Sequence, residues 1–352
     1  MSRSTDGAAL VVVVLVTLAL FAIGHGLLGL SLGELAASRA AARYLEARVA
    51  SDAAVHRVLA DSGGAWMDSV PIGSSRSAGS GSVGRARGEA SLWRLSAESW
   101  WIEGVGRVGS TEARSARLAW APDPLGTITT LHGVLTVGPA SSVRLSGSVD
   151  AASPTSMEPP HTSADCDPWL AGLQAHYASE PLAAVATYAP ADSLLRLGLL
   201  DIATMLGEMD VHLSGAGIAS PVESLGVCST AVAWNWGDPE RPWGPCGAYM
   251  ALRGSTGSVS MSGVGQGLLV VDGDFELAGG ARFFGLVLAT GTLSVEDGAS
   301  LTGMAIATGG VSVAAMGSVH GSACWAARAL ASQRATLGRL RPVPGVGNLG
   351  PI

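Results

Sequence analysis

The sequence lacks lysine, and all 21 of its basic residues are arginines. Charged residues make up only 14% of the chain, and the net charge is −7 without any basic stripe, so nucleic-acid binding is not expected. The four cysteines contain no C-x-x-C pair, and their spacing fits no zinc template. The seven histidines are scattered singly. We therefore expect no enzyme activity, no catalytic residue, no metal site and no small-molecule cofactor.

Apolar residues are abundant at 48% of the chain, and glycine accounts for 48 of the 352 residues. Disordered chains have few apolar residues and many charges, so this composition indicates a folded protein. A chain of this length can hold one large domain or two ordinary ones. The composition suits a glycine-punctuated β protein that also has a membrane segment.

An apolar run without charges extends from Gly7 to Gly33. It exceeds the roughly 20 residues that a bilayer core requires. The run is also too long, and too poorly followed by an A-x-A-like site, for a cleaved secretory signal. We therefore expect a retained, single-pass signal anchor in the inner (cytoplasmic) membrane. The anchor residues are Ala8, Val14, Leu20, Leu28 and Leu32.

The charges that flank the anchor bear on its orientation. Arg3 and Asp6 precede the anchor, whereas Arg39, Arg43 and Arg48 follow it. By the positive-inside rule, this distribution weakly favours an amino terminus outside the cytoplasm. Six residues form no domain, however, and the four downstream cysteines suit an oxidising compartment. We therefore expect the amino terminus inside and the bulk of the chain outside the cytoplasm.

The segment that follows the anchor is rich in strong helix formers and contains no proline or glycine up to Ser62. The pattern predicts one continuous helix from about Ala8 to Asp61, roughly 80 Å long. Gly63 and Gly64 provide its end. Apolar residues near one face make its outer half amphipathic: Leu35, Ala42, Leu45, Val49 and Val55.

The middle of the chain divides by composition. Residues 63–88 are rich in Ser and Gly and predict a linker after the helical region 1–62. Residues 89–160 predict a small β region, in which WRLSAESWWIEGVGRV has the alternation of an antiparallel pair. Residues 126–151 also alternate, in the manner of an early turn of the C-terminal repeats. Residues 161–225 predict a helical insertion packed on the β body.

Residues 267–320 fall into three blocks of eighteen, each headed by glycine. Apolar residues two apart and bounded by glycine are typical of short strands. Their fixed period predicts that equivalent residues stack in columns, with glycine permitting bends at the corners. Three sides of about six residues make a parallel β-helix over 226–323, in which 257–266 form a shorter early turn. The predicted core residues are Phe275, Leu277, Phe283, Leu293, Val295, Leu301, Val311, Val313 and Val319.

The tail, the cysteines and two acidic segments bear on capping, cross-links and metal binding. The helix-prone tail, residues 324–352, is predicted to cap the last turn, which opposes end-to-end polymerisation. Four cysteines allow three pairings. We favour Cys228 with Cys246, which staples the WNWGDP loop, and Cys166 with Cys324. The acids in VDGD (271–274) and VEDG (295–298) match no calcium motif and are expected at corners of the coil.

Residues 5–60, with a polar leader, an apolar run and an alanine-rich helix, resemble the N-terminal region of pilins. More closely, they resemble PilX-type minor pilins of type IV pilus biogenesis. The block GQGLLVVDGDFELAGGARFFGLVLATGTLSV is similar to the C-terminal solenoid of PilX-type proteins and, more distantly, to the bactofilin polymer-forming fold. CSTAVAWNWGDPERPWGPCGAY resembles an element that precedes the solenoid in the same proteins. The sequence departs from a prepilin peptidase site, because Ala8 follows Gly7 and Val12 takes the place of glutamate.

The resemblance implies a non-enzymatic, membrane-anchored envelope protein, a PilX-like minor component of type IV pilus biogenesis or a related assembly. Its implied partners are the lipid bilayer and other pilus or envelope subunits. Two alternatives stay open: a bactofilin-like scaffold that polymerises through its coil ends, and a cell-surface β-helix that binds or cleaves polysaccharide. The expected fold is mainly β, with an N-terminal transmembrane and amphipathic helix. A C-terminal parallel β-helix of about 18 residues per turn, with a helical insertion, completes the prediction.

Overall fold

The structure is a computed structural model. It describes residues 5–61, 69–121, 123–129, 131, 133–150, 167–187, 196–197, 200–333, 336–337 and 341–343. The described chain is mainly β, with one long N-terminal apolar helix, an antiparallel sheet and a curled parallel sheet. The helices are α1 Thr5–Asp61, α2 Pro124–Thr129, α3 Asp167–Ser179, α4 Ile202–Gly207 and α5 Ala323–Ser332.

The strands follow one another through most of the chain. In the first half they are β1 Ser75–Val83, β2 Ala86–Arg94, β3 Ser99–Val108, β4 Thr111–Trp120, β5 Gly133–Val137, β6 Ser142–Leu145, β7 Ser148–Asp150 and β8 Ala183–Thr187. The next are β9 Arg196–Leu197, β10 Leu200–Asp201, β11 Gly215–Ala219, β12 Glu223–Ser224, β13 Val227–Cys228, β14 Ala251–Ser255 and β15 Val259–Val271. The last are β16 Phe275–Leu277, β17 Arg282–Ala289, β18 Thr292–Val295, β19 Ser300–Ala307, β20 Gly310–Val313, β21 Ser318–Gly321 and β22 Arg341–Pro342.

The antiparallel sheet has the strand order β1-β2-β3-β4-β22, and the second half of α1 packs against it. The antiparallel pairing expected for WRLSAESWWIEGVGRV is present between β2 and β3. The predicted linker over 63–88 is wrong from residue 75 onward, because β1 and the start of β2 lie there. Backbone hydrogen bonds between strands do not depend on large side chains, so a Ser/Gly-rich segment can form an edge strand. A β-bulge between Ser77 and Gly79 accommodates the glycine at φ +138°.

The curled sheet consists of parallel strands, and its paired strands between residues 264 and 321 are offset by eighteen residues. On one side, Phe275 pairs with Leu293, and Leu293 pairs with Val311. On another, β15, β17, β19 and β21 lie side by side in the same manner. The predicted shorter turn also pairs in parallel, with Val259 opposite Phe275. All nine predicted core residues are at most 1% exposed.

The last part of the curled sheet is built from an upstream segment. The strand β21 pairs only with the first half of β19, residues 300–303, and the chain then leaves the sheet. The second half of β19, residues 305–307, pairs instead with residues 135–137 of β5. The strands β6 and β7 then pair with β20 and β21, so that β5, β6 and β7 add one further layer of strands, and β8 pairs with β5 beyond it. Residues 133–150 therefore belong to the curled sheet and not to the small β region predicted over 89–160. Their alternation, noted above, is the pattern of this sheet.

Two further predictions need correction. The segment 161–225 contains α3 and α4, but β8 and β11 within it are strands of the curled sheet and not part of a helical insertion. The tail helix α5 does not cap the last turn. It lies across β15, β17 and β19, where Trp325 packs against Phe284 with ring centroids 5.2 Å apart. Beyond the repeats, the strands of the sheet are continued by β5, β6 and β7 instead.

Candidate membrane anchor and assembly surfaces

The first half of α1 is the candidate membrane anchor. Among the described residues, one helix is long and apolar enough to cross a membrane, and its apolar window is not buried against the rest of the chain. Ala8 lies in this helix, and the other predicted anchor residues, Val14, Leu20, Leu28 and Leu32, expose their side chains. Side chains of Thr17 and Ser31 donate hydrogen bonds to helix carbonyls one turn back, at 2.8 Å each. Their hydroxyls therefore need no water, as an apolar environment requires.

The second half of α1 packs unusually close to the antiparallel sheet. A Cβ atom at Gly88, Gly104 or Gly106 would lie well within 3.0 Å of a backbone carbonyl oxygen of α1. The facing residues of the helix are small, and Ala47, Ala50, Ser51 and Ala54 are buried. The Ser51 hydroxyl shares a hydrogen bond with Ser115 and donates to the Gly104 carbonyl at 3.2 Å. Small residues on both surfaces thus fix the helix to the sheet by backbone proximity.

The opposite side of α1 carries apolar side chains that nothing in the described chain covers. Leu35, Leu45 and Val49 are exposed, and Leu45 is 64% exposed. The prediction that Val55 shares their face is wrong, because Val55 is buried against the antiparallel sheet. The helix is therefore apolar on two faces, and the antiparallel sheet covers one of them. A continuous apolar stripe of this kind indicates contact with lipid or with another helix.

The outer face of the antiparallel sheet carries a ladder of ion pairs. The pairs have N–O distances of 2.9 to 3.5 Å and join Arg87, Glu89, Arg107, Glu112, Arg114 and Glu103 across β2, β3 and β4. Hydrogen bonds from Arg107 and Arg114 lower the pKa of the Glu112 carboxyl. The hydrogen bond with Glu112 raises the pKa of Arg114 in turn. The ladder is exposed to solvent, so it contributes to the charge pattern of the face more than to stability.

A disulfide-stapled loop closes the first turn of the curled sheet. Cys228 and Cys246 form the disulfide that the sequence analysis favoured. Within this loop, Trp236 is fully buried and meets Phe283 edge to face at 5.5 Å. Trp234 packs where a side chain at Gly217 would lie. We call residues 228–250 the plug, because Trp234 fills the space above Gly217 of β11 and Trp236 packs against Gly265 of β15. Cys324 is also disulfide-bonded, and Cys166 lies outside the described residues.

Arg253 holds the plug in place. Its guanidinium is only 2% exposed and lies 5.9 Å from the Trp236 ring. No carboxylate among the described residues pairs with it. The group instead donates to Ala233 O (2.9 Å), Leu252 O (2.9 Å), Thr230 O (3.1 Å), Val232 O (3.0 Å), Asn235 O (2.9 Å) and the Tyr249 hydroxyl (2.9 Å). A planar group with five N–H donors suits a ring of carbonyls, and lysine could not replace it.

The acids at the corners of the coil bind the backbone or hydroxyl of the next turn. Asp272 accepts a hydrogen bond from Thr290 at 2.9 Å, Asp274 from the Thr292 amide at 2.7 Å, and Asp297 from the Met316 amide at 2.9 Å. These carboxylates are therefore occupied by the fold. Among the described residues, no group of three or more His, Cys, Asp or Glu side chains is placed to hold a metal ion.

Sequence reasoning missed three features of these surfaces. Arg253 carried no pattern that distinguished it from the other arginines. The glycines of β2 and β3 alternate with larger residues, and the small residues of α1 repeat at helical spacing, so their pairing could have been noticed. The role of residues 133–150 as the last turn could not, because the eighteen-residue register does not cross the intervening chain.

No protein-family model and no curated protein matches the sequence. Among solved structures, the chain is similar to the crystal structure of the competence-associated pilin ComZ from Thermus thermophilus, at 11% sequence identity and a TM-score of 0.25. The alignment covers 86% of this chain and 96% of that one. A likeness at this TM-score does not establish a shared fold.

Proposed function

We propose that this chain is a non-enzymatic, membrane-anchored envelope protein that serves as a PilX-like minor component of a type IV pilus or a related assembly. The observation that carries the proposal is the construction of α1. It is one continuous helix with an exposed apolar first half and a second half clamped to an antiparallel sheet. The anchor would span the inner membrane once, with the sheets outside the cytoplasm. Its partners would be the bilayer and other assembly subunits.

We further interpret the curled sheet as a parallel β-helix of about 18 residues per turn. The succession of Gly267, Gly285 and Gly303 as direct strand partners supports this interpretation. So does the bend of each long strand at its glycine, where φ lies between +140° and +144°. The role of this region would be mechanical: a rigid body that presents surface to other subunits at a fixed distance from the membrane.

The exposed stripe of α1 provides the contact through which the chain would join an assembly. Leu35, Leu45 and Val49 lie opposite the face that the antiparallel sheet covers. Helices that carry such stripes bury them against neighbouring helices. The expected neighbour is the apolar N-terminal helix of another membrane-anchored subunit.

A photo-crosslinker tests this contact in native membranes. Benzoylphenylalanine at position 45 of the full chain should form a protein adduct, and mass spectrometry should place the cross-link in the apolar N-terminal helix of a pilus-type subunit. Ile72, which is exposed but lies outside the stripe, is the matched control position. Adducts with lipid alone, or equal yields at positions 45 and 72, would contradict the proposal.

The bactofilin-like alternative requires both ends of the coil to accept another copy. Trp234 occupies the position above Gly217 at the first turn, which opposes simple stacking at that end. Filaments formed by the detergent-solubilised full chain would favour this alternative nonetheless. No observation supports a polysaccharide-binding function, because Asp272, Asp274 and Asp297 already accept hydrogen bonds from backbone and hydroxyl groups of neighbouring turns.

A further inference from the structure

The two ends of the curled sheet differ in how their apolar side chains are covered. At the first turn, the plug places Trp234 across Gly217 of β11 and Trp236 against Gly265 of β15. At the last turn, Val143 and Leu145 of β6 stand in the same columns as Val311 and Val313. The latter two are 1% exposed, whereas Val143 and Leu145 are each 42% exposed. The columns that reach β6 therefore end on a strand that no other described strand covers.

The strand β6 also has a free edge. It pairs with β20, and no other strand among the described residues pairs with it. The outer edge of such a strand presents backbone N–H and C=O groups that are not paired with another strand. An added strand would satisfy these groups and cover the two apolar side chains at once.

One charge distinguishes this edge. Arg144 lies between Val143 and Leu145, and its side chain is exposed on the outer face. The residue beneath it is Ser312, and the one below that is Ser294. A strand placed against β6 would set one of its own side chains directly opposite Arg144. Opposite charges at such positions stabilise a strand pair, and like charges destabilise it.

The same charge argues against a second copy of this chain as the occupant. An antiparallel pair of two β6 strands that sets Val143 opposite Leu145 also sets Arg144 opposite Arg144 of the other copy. Head-to-tail stacking would instead bring β6 against the first turn, where Trp234 already packs across Gly217. A strand with an acidic residue between two apolar ones meets neither obstacle.

We propose that β6 is a docking edge that accepts an extended strand from a partner protein. The partner strand carries the pattern apolar–acidic–apolar. Its apolar side chains continue the columns of Val143 and Leu145, and its carboxylate faces Arg144. The mode is strand addition, in which backbone hydrogen bonds provide affinity and alternate side chains provide specificity.

Two matched peptides test the proposal on the detergent-solubilised full chain. Fluorescein-labelled Gly-Ser-Val-Glu-Val-Ser-Gly should bind about tenfold more tightly than the same peptide with a central arginine, because only the first offers an opposite charge. The variant Arg144→Glu should reverse this preference. Arg85→Glu, which reverses an exposed arginine in the loop between β1 and β2, should leave the preference unchanged. Fluorescence anisotropy gives the affinities, and tryptophan fluorescence shows that each variant is folded.

Three results would overturn the proposal. One is no binding of either peptide at about 1 mM, where even a weak strand contact is half-saturated. Another is equal binding of both peptides, since Arg144 would then not distinguish an acidic from a basic partner residue. The third comes from benzoylphenylalanine at position 143 in cells: a cross-link to the chain's own residues or to a second copy. A cross-link to another protein within an apolar–acidic–apolar segment supports the proposal.

Discussion

Glycine brings backbones together in both the antiparallel sheet and the curled sheet, but the partners differ. In the antiparallel sheet, Gly104 and Gly106 admit a helix that packs on one face only, so we expect the helix to shift if the space is filled. In the curled sheet, Gly285 admits the carbonyl of Gly267 in the turn before, and it is itself approached by Gly303 in the turn after. A turn held from both sides cannot move away. Glycine is therefore harder to replace in the curled sheet than in the antiparallel sheet.

The largest effect is therefore expected at Gly285. A Cβ there would overlap the Gly267 carbonyl, and φ is +140°, which side chains rarely adopt. We expect Gly285→Val to lower the free energy of unfolding by at least about 4 kcal/mol, or to prevent folding. Urea unfolding of the detergent-solubilised full chain, followed by tryptophan fluorescence, measures this. Gly257→Ala is the control, because a Cβ there meets no atom within 4 Å. Equal losses in the two variants would refute the stacking argument.

The next effect concerns the plug. Replacing Cys228 and Cys246 by serine opens a loop of sequence separation 18. In the chain-entropy description, such a loop closure is worth about 3 kcal/mol. We expect the variant to lose about that much stability and to expose Trp236 to a soluble quencher such as acrylamide. An unquenched, unshifted Trp236 signal, judged against the Trp236→Phe difference spectrum, would show that the plug holds without its staple.

A smaller effect is expected where the helix meets the antiparallel sheet. Gly106→Ala places a methyl group against the Ala47 carbonyl, and α1 can relieve the overlap by shifting. We expect a loss of about 2 kcal/mol, within the usual range for a core substitution. Gly81→Ala is the matched control in the same sheet, because the atoms nearest to its new methyl group belong to the flexible Arg57 side chain. If Gly106→Ala cost as much as Gly285→Val, the contrast between the two regions would fail.

The smallest effect belongs to the exposed ion-pair ladder. Because Arg107 and Arg114 lower the folded-state pKa of Glu112, its pairing stabilises the fold fully above the ordinary glutamate pKa. That contribution is lost as the pH falls through the lowered value. We expect Glu112→Gln to lower the melting temperature slightly at neutral pH and low salt, and not at all near pH 2. A difference that persists in acid would show that the charge is not its cause.

The regular parts of the molecule were predictable from local pattern. The helix from about Ala8 to Asp61 followed from an unbroken apolar run and, after it, strong helix formers without glycine or proline, and the register of Phe275, Leu293 and Val311 followed from a fixed period. Both depend on residues close in sequence, so local sequence patterns are enough to predict them. The staple between Cys228 and Cys246 was favoured among three pairings because it encloses the tryptophan loop.

The parts that failed depend on contacts between distant segments. Residues 133–150 form the last turn only because β21 leaves the sheet at Gly321, and no local signal marks that departure. The tail helix α5 was placed at the end of the coil, although its apolar residues, Trp325 among them, cover the sheet face. The role of Arg253 depends on six acceptors of the plug and the sheet, which only the folded chain brings together.

The central claim is that α1 fixes this chain in a membrane as part of an assembly. The most direct measurement is the distribution of the full-length protein among cytosolic, carbonate-washed membrane and sheared-filament fractions of its native cells. The account predicts membrane protein that resists carbonate, with a minor share in the sheared filaments. Release of the protein by carbonate, or its presence in the cytosolic fraction alone, would contradict the account.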